Sequence, residues 1–334
     1  MPKASFRLIW FGDACCFCES FSSFISDKSI LFLIVLSKPH PVKLFRLISA
    51  YFGRELQDLW PTDRIISGAS FYCSHLFEKE DFLMTQTIQP STCRGFSGTT
   101  LKCIACITML IDHIGASCLE VGILRPMLDA GTLSSDTLAS HPLYLLDCIL
   151  RFTGRLAFPI FCFLLVEGFV HTHDVKRYFL RLLLFGLLSE VPFDLAFFRL
   201  PVDPSQQNVY WTLALGVLAM TGLQRFETAD NAVTWKGLLC AGGCVLLAFL
   251  AHTDYNGIGV IIICALYLTR ADRKRQCLVG ALLFAYELTA PLAFVLIWFY
   301  NGQRGQCSKT MQKCFYWFYP AHIALLAVIT NLLL

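Results

Sequence analysis

The sequence predicts an all-α protein: a polytopic transmembrane helix bundle of about eight spans, with seven as the lower count. Three observations carry that expectation. Of 334 residues 56% are hydrophobic and 15% charged, with a mean hydropathy of +0.58, a balance that soluble domains of this length rarely show. From Gly98 onward, apolar runs recur whose length approaches the roughly 20 helical residues needed to cross a hydrocarbon layer about 30 Å thick. The formal charge is only +3, and the basic residues collect in short loops between those runs. Such a pattern signals topology and a lipid partner, and gives no footprint for a nucleic acid.

Residues 1–97 differ from the rest. They hold aromatic patches (Phe17, Phe21, Phe24), a run at 30–36 too short to span, and a charged stretch at 77–82. No basic start leads into an apolar run and an Ala-x-Ala-like site, so a cleaved signal peptide is not expected. This part reads as a poorly ordered or mis-called N-terminal extension, with Met84 as a candidate true start. Residues 98–334 read as one transmembrane domain.

In chain order the apolar segments are 98–119, 150–170, 178–198, 209–226, 235–251, 256–269, 276–299 and 314–333. The sixth is short enough to tilt or to fail to span, which leaves seven crossings open. Arg94, Lys102, Lys176, Arg177, Arg225, Lys236, Arg270, Arg273, Lys274 and Arg275 then fall on one side, and Arg125, Arg199, Arg304, Lys309 and Lys313 on the other. The excess predicts a cytoplasmic N-terminus, and eight crossings would return the C-terminus to the cytoplasm.

Sixteen cysteines form no ligand set. Cys15 with Cys18 and Cys103 with Cys106 are isolated C-x-x-C pairs, the second inside an apolar helix where it reads as lipid-facing or as core filler, so no metal is expected.

Ionisable residues inside apolar runs are functional hypotheses by default, because charge in a membrane is expensive unless it meets a cavity or a partner. Counted at 1.5 Å per residue, Asp112, His113, Arg155, Glu190, Asp194, Glu287 and His322 fall about 16 to 24 Å above the inner edge, in one slab. Arg151 and Arg155 share a helix face, as do Glu190 and Asp194. A short turn joins their two helices, so the faces are expected to pair. Asp112 and His113 are i,i+1 neighbours pointing about 100° apart, so one could act as a general base while the other contacts Arg155. His322 follows Pro320, which frees a backbone carbonyl and could turn the histidine toward the same cavity. At the inner mouth Glu167, His171, His173, Lys176, Arg177 and Arg181 crowd one turn, and such a cluster could hold the phosphates of a nucleotide-bearing donor. No glycine-rich phosphate loop accompanies it. Gln207 and Asn208 are placed to cap the helix starting at Val209. Gly257 and Gly259, after Asp254 and Tyr255, read as close-packing positions.

The stretches LKCIACITMLIDHIG from Leu101, GRLAFPIFCFLLVEGFVHT from Gly154, RLLLFGLLSEVPFDLAF from Arg181, QNVYWTLALG from Gln207, DYNGIGV from Asp254 and FYPAH from Phe318 together resemble the TraX family of integral membrane proteins. That family takes its name from the conjugation protein that N-acetylates F-type pilin. The resemblance spans about residues 97–334 and matches at Asp112, His113, Gly154, Arg155, Pro159, Glu167, Gly168, Glu190, Pro192, Asp194, Asn208, Asp254 and His322. It implies a multi-pass protein of the bacterial cytoplasmic (inner) membrane and a membrane-embedded acyltransferase using acetyl-CoA. The acceptor would be an unknown membrane or surface amine or hydroxyl, pilin by family resemblance only. In that mechanism His113, or else His322, removes the acceptor's proton, and Asp112 lies beside the base. Arg155 stabilises the carbonyl oxygen, and Glu190 and Asp194 hold Arg155. The competing expectation is a solute or proton-coupled transporter, since midplane charges and glycine or proline breaks are equally at home there.

Overall fold

The computed structural model describes residues 95–228 and 232–333. The chain divides into units 1–94 and 95–334, and the described helices all lie in the second. The reading of residues 1–97 as an extension, and of Met84 as a start, falls outside the described residues apart from 95–97.

The described fold is all-α. Its helices are α1 (Gly98–His113), α2 (Arg125–Asp129), α3 (Ser135–Leu138), α4 (Pro142–Gly154), α5 (Ala157–Val170), α6 (Val175–Phe197), α7 (Val209–Arg225), α8 (Trp235–Leu250), α9 (Asn256–Leu268), α10 (Arg273–Leu283), α11 (Ala293–Trp298) and α12 (Lys309–Leu332). Polar caps set many of the starts. Ser97, Asp174, Asn208, Thr234, Asp272 and Ser308 each accept a backbone N–H of the first turn, satisfying donors that would otherwise be orphaned.

Among the described residues three continuous stretches are long and apolar enough to cross a membrane: Gly98–Asp129, Pro142–Val170 and Thr310–Leu332. The count of eight is therefore not met by length and composition. α8 and α9, with 16 and 13 residues, are apolar but short, and α6 carries Lys176, Arg177, Arg181, Glu190 and Asp194 within its 23 residues.

Two of these stretches outrun their expected bounds. The first continues past 119 because α1 passes into a π-helix at Ile114–Leu124 before α2. The second starts at Pro142, with a break at Arg155 and Leu156 that separates α4 from α5.

A larger correction concerns 276–299. This segment does not cross; it forms a hairpin that returns to the end it started from. Arg273 at its foot lies 3.4 Å from Glu167 and sits over the rings of Phe163 and Tyr300, at 4.5 and 5.1 Å. Its tip reaches Arg155 through Glu287 and the carbonyl of Phe152 through Thr289. Gly280 lets the two limbs touch, since a Cβ there would overlap the Phe294 ring. An apolar run reads as a span by length alone, whereas α10 ends at Leu283, Pro291 cannot continue a helix, and Arg155 and the Phe152 carbonyl take up polar groups of the turn.

The hairpin reverses the direction expected of the last helix. The chain after α11 meets the start of α1, with Phe96 N–H donating to Phe299 O, Gly98 to Gln303 O and Thr99 to Arg304 O, each at 2.9 Å. Farther along, Ser117 bonds Thr330 at 2.6 Å. α12 thus runs parallel to α1, and Gly98 and Leu332 lie at opposite ends of the bundle, against the expectation of termini on one side. Arg304 and Lys313 therefore share an end with Lys102, Lys176, Arg177, Arg225, Lys236, Arg270, Arg273, Lys274 and Arg275, and among the described residues of the basic count Arg125 and Arg199 stand at the other.

α5 occupies the centre: Ile160, Cys162, Phe163 and Val166 are 0% exposed, packed among Val217 and Met220 of α7, Ile262, Ile263 and Leu266 of α9, and Ile297 of α11. Outward faces remain apolar, as at Leu239, Leu246, Leu250, Leu325 and Val328, the pattern of helices whose solvent is lipid.

Candidate functional site

The polar residues gather around the break between α4 and α5. Arg151 Nη1 donates to Asp112 Oδ2 at 2.5 Å. Gly154 makes that approach possible, because a side chain there would occupy the space of Asp112's own Cβ and Oδ1. One turn after Arg151, Arg155 Nη1 donates to Glu287 Oε1 at 3.3 Å and the Tyr255 hydroxyl accepts a second hydrogen bond from it. Tyr255 and Asn256 both adopt the left-handed region, at φ 60 and 46, a conformation that costs of order 1–3 kcal/mol for such residues. Neighbours hold it: the Tyr255 ring lies on Phe158 at 3.6 Å and 11°, and Asn256 N–H donates to Thr253 O at 2.7 Å.

The turn is tied down further. Gln207 N–H donates to His252 O at 2.9 Å and its carbonyl accepts from Asp254 N–H at 2.8 Å. Gln206 donates to the Asp254 carboxylate at 3.2 Å, and Thr212 donates to the Asp254 carbonyl. Asp147, 1% exposed, finds no hydrogen-bond partner for either carboxylate oxygen among the described residues.

His113 turns away from Asp112, as neighbours on a helix must, and meets His322 across 209 residues of sequence, Nδ1 to Nε2 at 2.8 Å. His322, 7% exposed, has its Nδ1 2.6 Å from Phe318 O. Phe197 and Tyr319 pack edge-on against His113, at 5.4 and 5.9 Å. The π-helix begins at the next residue, and such widened turns recur at functional sites.

The expected clamp of Arg151 and Arg155 on Glu190 and Asp194 does not form, and Asp112 meets Arg151 in place of Arg155. Glu190 Oε2 instead accepts from Asn208 Nδ2 and from Trp211 Nε1, the latter at 2.9 Å, and Asp194 Oδ2 accepts from Asp203 N–H at 2.9 Å. Sequence neighbours are not packing neighbours here: α6 turns toward α7 and α12, while α1 and the hairpin take up the arginine-bearing side of α4 and α5. Asn208 caps α7 as expected, its Oδ1 accepting from Tyr210 N–H at 3.1 Å, and its amide also donates to Gly186 O at 2.8 Å.

The inner cluster divides. Thr172, His173, Asp174, Arg177, Leu180, Arg181 and Leu184 line a cleft of about 560 Å³, inside the usual range for small-molecule sites. Arg177 pairs with Asp174 at 2.8 Å, and the Arg181 guanidinium sits 5.5 Å from the centre of the Tyr316 ring. Lys176 and His171 are exposed outside the lining, with His171 Nδ1 donating to Glu167 O at 2.8 Å. Glu167 leaves the cluster because Arg273 holds it.

Sequence reasoning missed Tyr255 as a partner of Arg155, and it left Glu287 and Arg151 outside the proposed site. Glu287 carried a signal, a lone carboxylate in an apolar run. Tyr255 carried none, since its role depends on a backbone conformation that residue type does not reveal. Among the described residues no group of three or more His, Cys, Asp or Glu is arranged to hold a metal ion.

The model of a family described as TraX protein matches residues 97–330. The probable fimbrial assembly protein FimC, serogroup H1, of Dichelobacter nodosus is 32% identical over 258 residues, which covers 69% of this chain and 94% of that protein. No solved structure matches.

Proposed function

Because the chain belongs to the TraX family, we propose that it is a membrane-embedded acyltransferase that moves an acetyl group from acetyl-CoA to an amine or hydroxyl acceptor. The single observation that carries this reading is the contact of His113 with His322 on the neighbouring face of the helix that brings Asp112 to Arg151. A neutral imidazole suits removal of the acceptor's proton. The arginines that Asp112 and Glu287 hold on α4 and at its end suit the negative charge that develops on a carbonyl under attack.

The acceptor's lone pair forms a bond to the acetyl carbon, and its proton passes to His113. The C–S bond then breaks with its electron pair on sulfur, and the same proton leaves with the thiolate. Arg155, held by Glu287 and Tyr255, is fixed before substrate arrives and so costs no reorganisation during the step. Glu190 and Asp194 act at one remove, fastening the start of α7 and the loop before it. The cleft fits the donor's phosphates in part: Arg177 and Arg181 supply the charge, while Asp174 claims a share of Arg177. From Arg181 to Phe197, which touches His113, α6 rises about 24 Å, the distance that the donor's thioester arm must cover.

This assignment places the basic end of the bundle in the cytosol of the bacterial inner membrane. It gives seven crossings, formed by α1 with its π-helix, α4 with α5, α6, α7, α8, α9 and α12, plus the hairpin. A fimbrial or pilin-like surface subunit is the acceptor class that the relative's name suggests.

The test is purified protein in nanodiscs with radiolabelled acetyl-CoA. Donor hydrolysis or self-labelling that disappears in His113→Ala supports the reading. A second reading, a carrier, is favoured by the hairpin, because broken helices at depth also mark transport sites. Solute flux in liposomes with no turnover of acetyl-CoA would select the carrier.

A further inference from the structure

We propose that His322 fixes the tautomer of His113, so that His113 Nε2 is the atom that takes the acceptor's proton and His322 is a positioning residue; the catalytic half of this rests on the acyl-transfer reading above. A backbone carbonyl sets the order of hydrogens. Phe318 O can only accept, so His322 Nδ1, 2.6 Å away, carries a hydrogen. Neutral His322 then has its lone pair on Nε2. That lone pair faces His113 Nδ1 at 2.8 Å, which must therefore be the donor. The lone pair of neutral His113 is left on Nε2.

The ring geometry supports a directed hydrogen bond. The two imidazoles are 7° from parallel with centroids 5.1 Å apart. Two ring faces cannot approach to 2.8 Å, and the centroid separation exceeds the N to N distance by about one ring width. The rings therefore meet edge to edge in nearly one plane, with the hydrogen of one on the lone pair of the other. Phe197 and Tyr319, crossing His113 at 70° and 74°, resist rotation of its ring.

This arrangement also decides which histidine is the base. Both nitrogens of His322 are engaged, and the residue is almost wholly buried. His113 is only partly buried, and its Nε2 lies on the far side of the ring from His322. In water a neutral histidine carries its hydrogen mainly on Nε2, which would leave Nδ1 as the base. The His322 contact inverts that preference. When Nε2 takes the acceptor's proton, Nδ1–H keeps its bond to the His322 lone pair, which stabilises the imidazolium until the proton departs with the thiolate.

The experiment is ¹⁵N NMR of the histidine-labelled full chain in nanodiscs near neutral pH, with the His113 signals assigned through their loss in His113→Asn. Expected is a protonated Nδ1 and an unprotonated Nε2 on His113. His322→Ala is expected to return the hydrogen to Nε2 and to lower kcat for acetyl-CoA turnover about 10²-fold at unchanged KM. His322→Asn, whose side-chain oxygen can accept the same hydrogen, keeps the tautomer and most of kcat. A wild-type His113 protonated on Nε2 overturns the proposal without any variant, and so does a His322→Ala enzyme with wild-type kcat. If the tautomer is as stated but wild-type protein never turns over acetyl-CoA, the acyl-transfer reading and the catalytic role fall together, while the order of hydrogens stands.

Discussion

Arg155, at the break between α4 and α5, is joined to Glu287, at the tip of the re-entrant hairpin, by an ion pair of 3.3 Å. One side of the polar cluster is therefore built from a segment that turns back toward the end it came from, and the cluster's charge balance depends on that segment staying docked. Glu287→Ala takes the carboxylate away from the guanidinium and leaves it the Tyr255 hydroxyl. The pair is only partly buried and the hydroxyl remains, so the expected loss is that of an unsatisfied partly buried partner, about 1–3 kcal/mol. Thermal unfolding in detergent checks it. Combining the change with Arg155→Met should recover part of the loss, and simple additivity of the two would refute the coupling.

Gly154→Ala tests the approach of α4 to α1. A methyl group there overlaps Asp112, so either the helices separate or Asp112 leaves Arg151. Overpacking of this kind costs about 1–3 kcal/mol, and activity should fall with stability. A melting temperature equal to wild type would show that the site has room that the geometry denies.

Asn208 performs two tasks, capping α7 and donating to Glu190. Loss of a cap costs about 1 kcal/mol, and a partly buried carboxylate deprived of a donor adds about 1–3 kcal/mol. Asn208→Ala should therefore destabilise by at least about 2 kcal/mol, read from the same melting curves, and Asn208→Asp, which can cap but cannot donate, should be no better.

Arg177→Ala and Arg181→Ala address the cleft. Each removes a charge from the proposed phosphate site, so each is expected to raise the KM for acetyl-CoA about tenfold, equivalent to about 1.4 kcal/mol, with kcat unchanged. Steady-state kinetics at two salt concentrations reads this, and the difference from wild type should shrink as salt rises. A fall in kcat alone would place the donor elsewhere.

Topology separates the hairpin from a true span. With Gly98 in the cytosol, green fluorescent protein fused after Gly305 should fold and fluoresce, and alkaline phosphatase fused after Leu333 should be exported and active. The reverse pattern, active phosphatase fused after Gly305 and fluorescent protein fused after Leu333, would restore an eighth crossing and remove the hairpin.

Much of this was legible in the chain. The helical class followed from run length and apolarity, the capping role of Asn208 from its type and position, and the family from DHIG, GRLAFP and SEVPFDL. The heights of Asp112, His113 and Arg155 along their own helices followed from counting residues at a fixed rise, whereas that of His322 did not, because its helix runs opposite to the direction the count assumed. Pairing did not follow. Depth can be counted along one helix, but rotation about the helix axis and the choice of neighbour depend on every other helix. Arg151 and Arg155 were accordingly matched to the wrong carboxylates.

By itself the sequence determined composition, periodicity and height, because these are local properties of a chain with 3.6 residues per turn and a rise of about 1.5 Å per residue. Tertiary structure alone decided that 276–299 turns back, that α12 runs parallel to α1, and that His113 meets His322. Each of those is a contact between residues far apart in the chain, chosen by which packing satisfies the buried polar groups, and no local pattern encodes that choice.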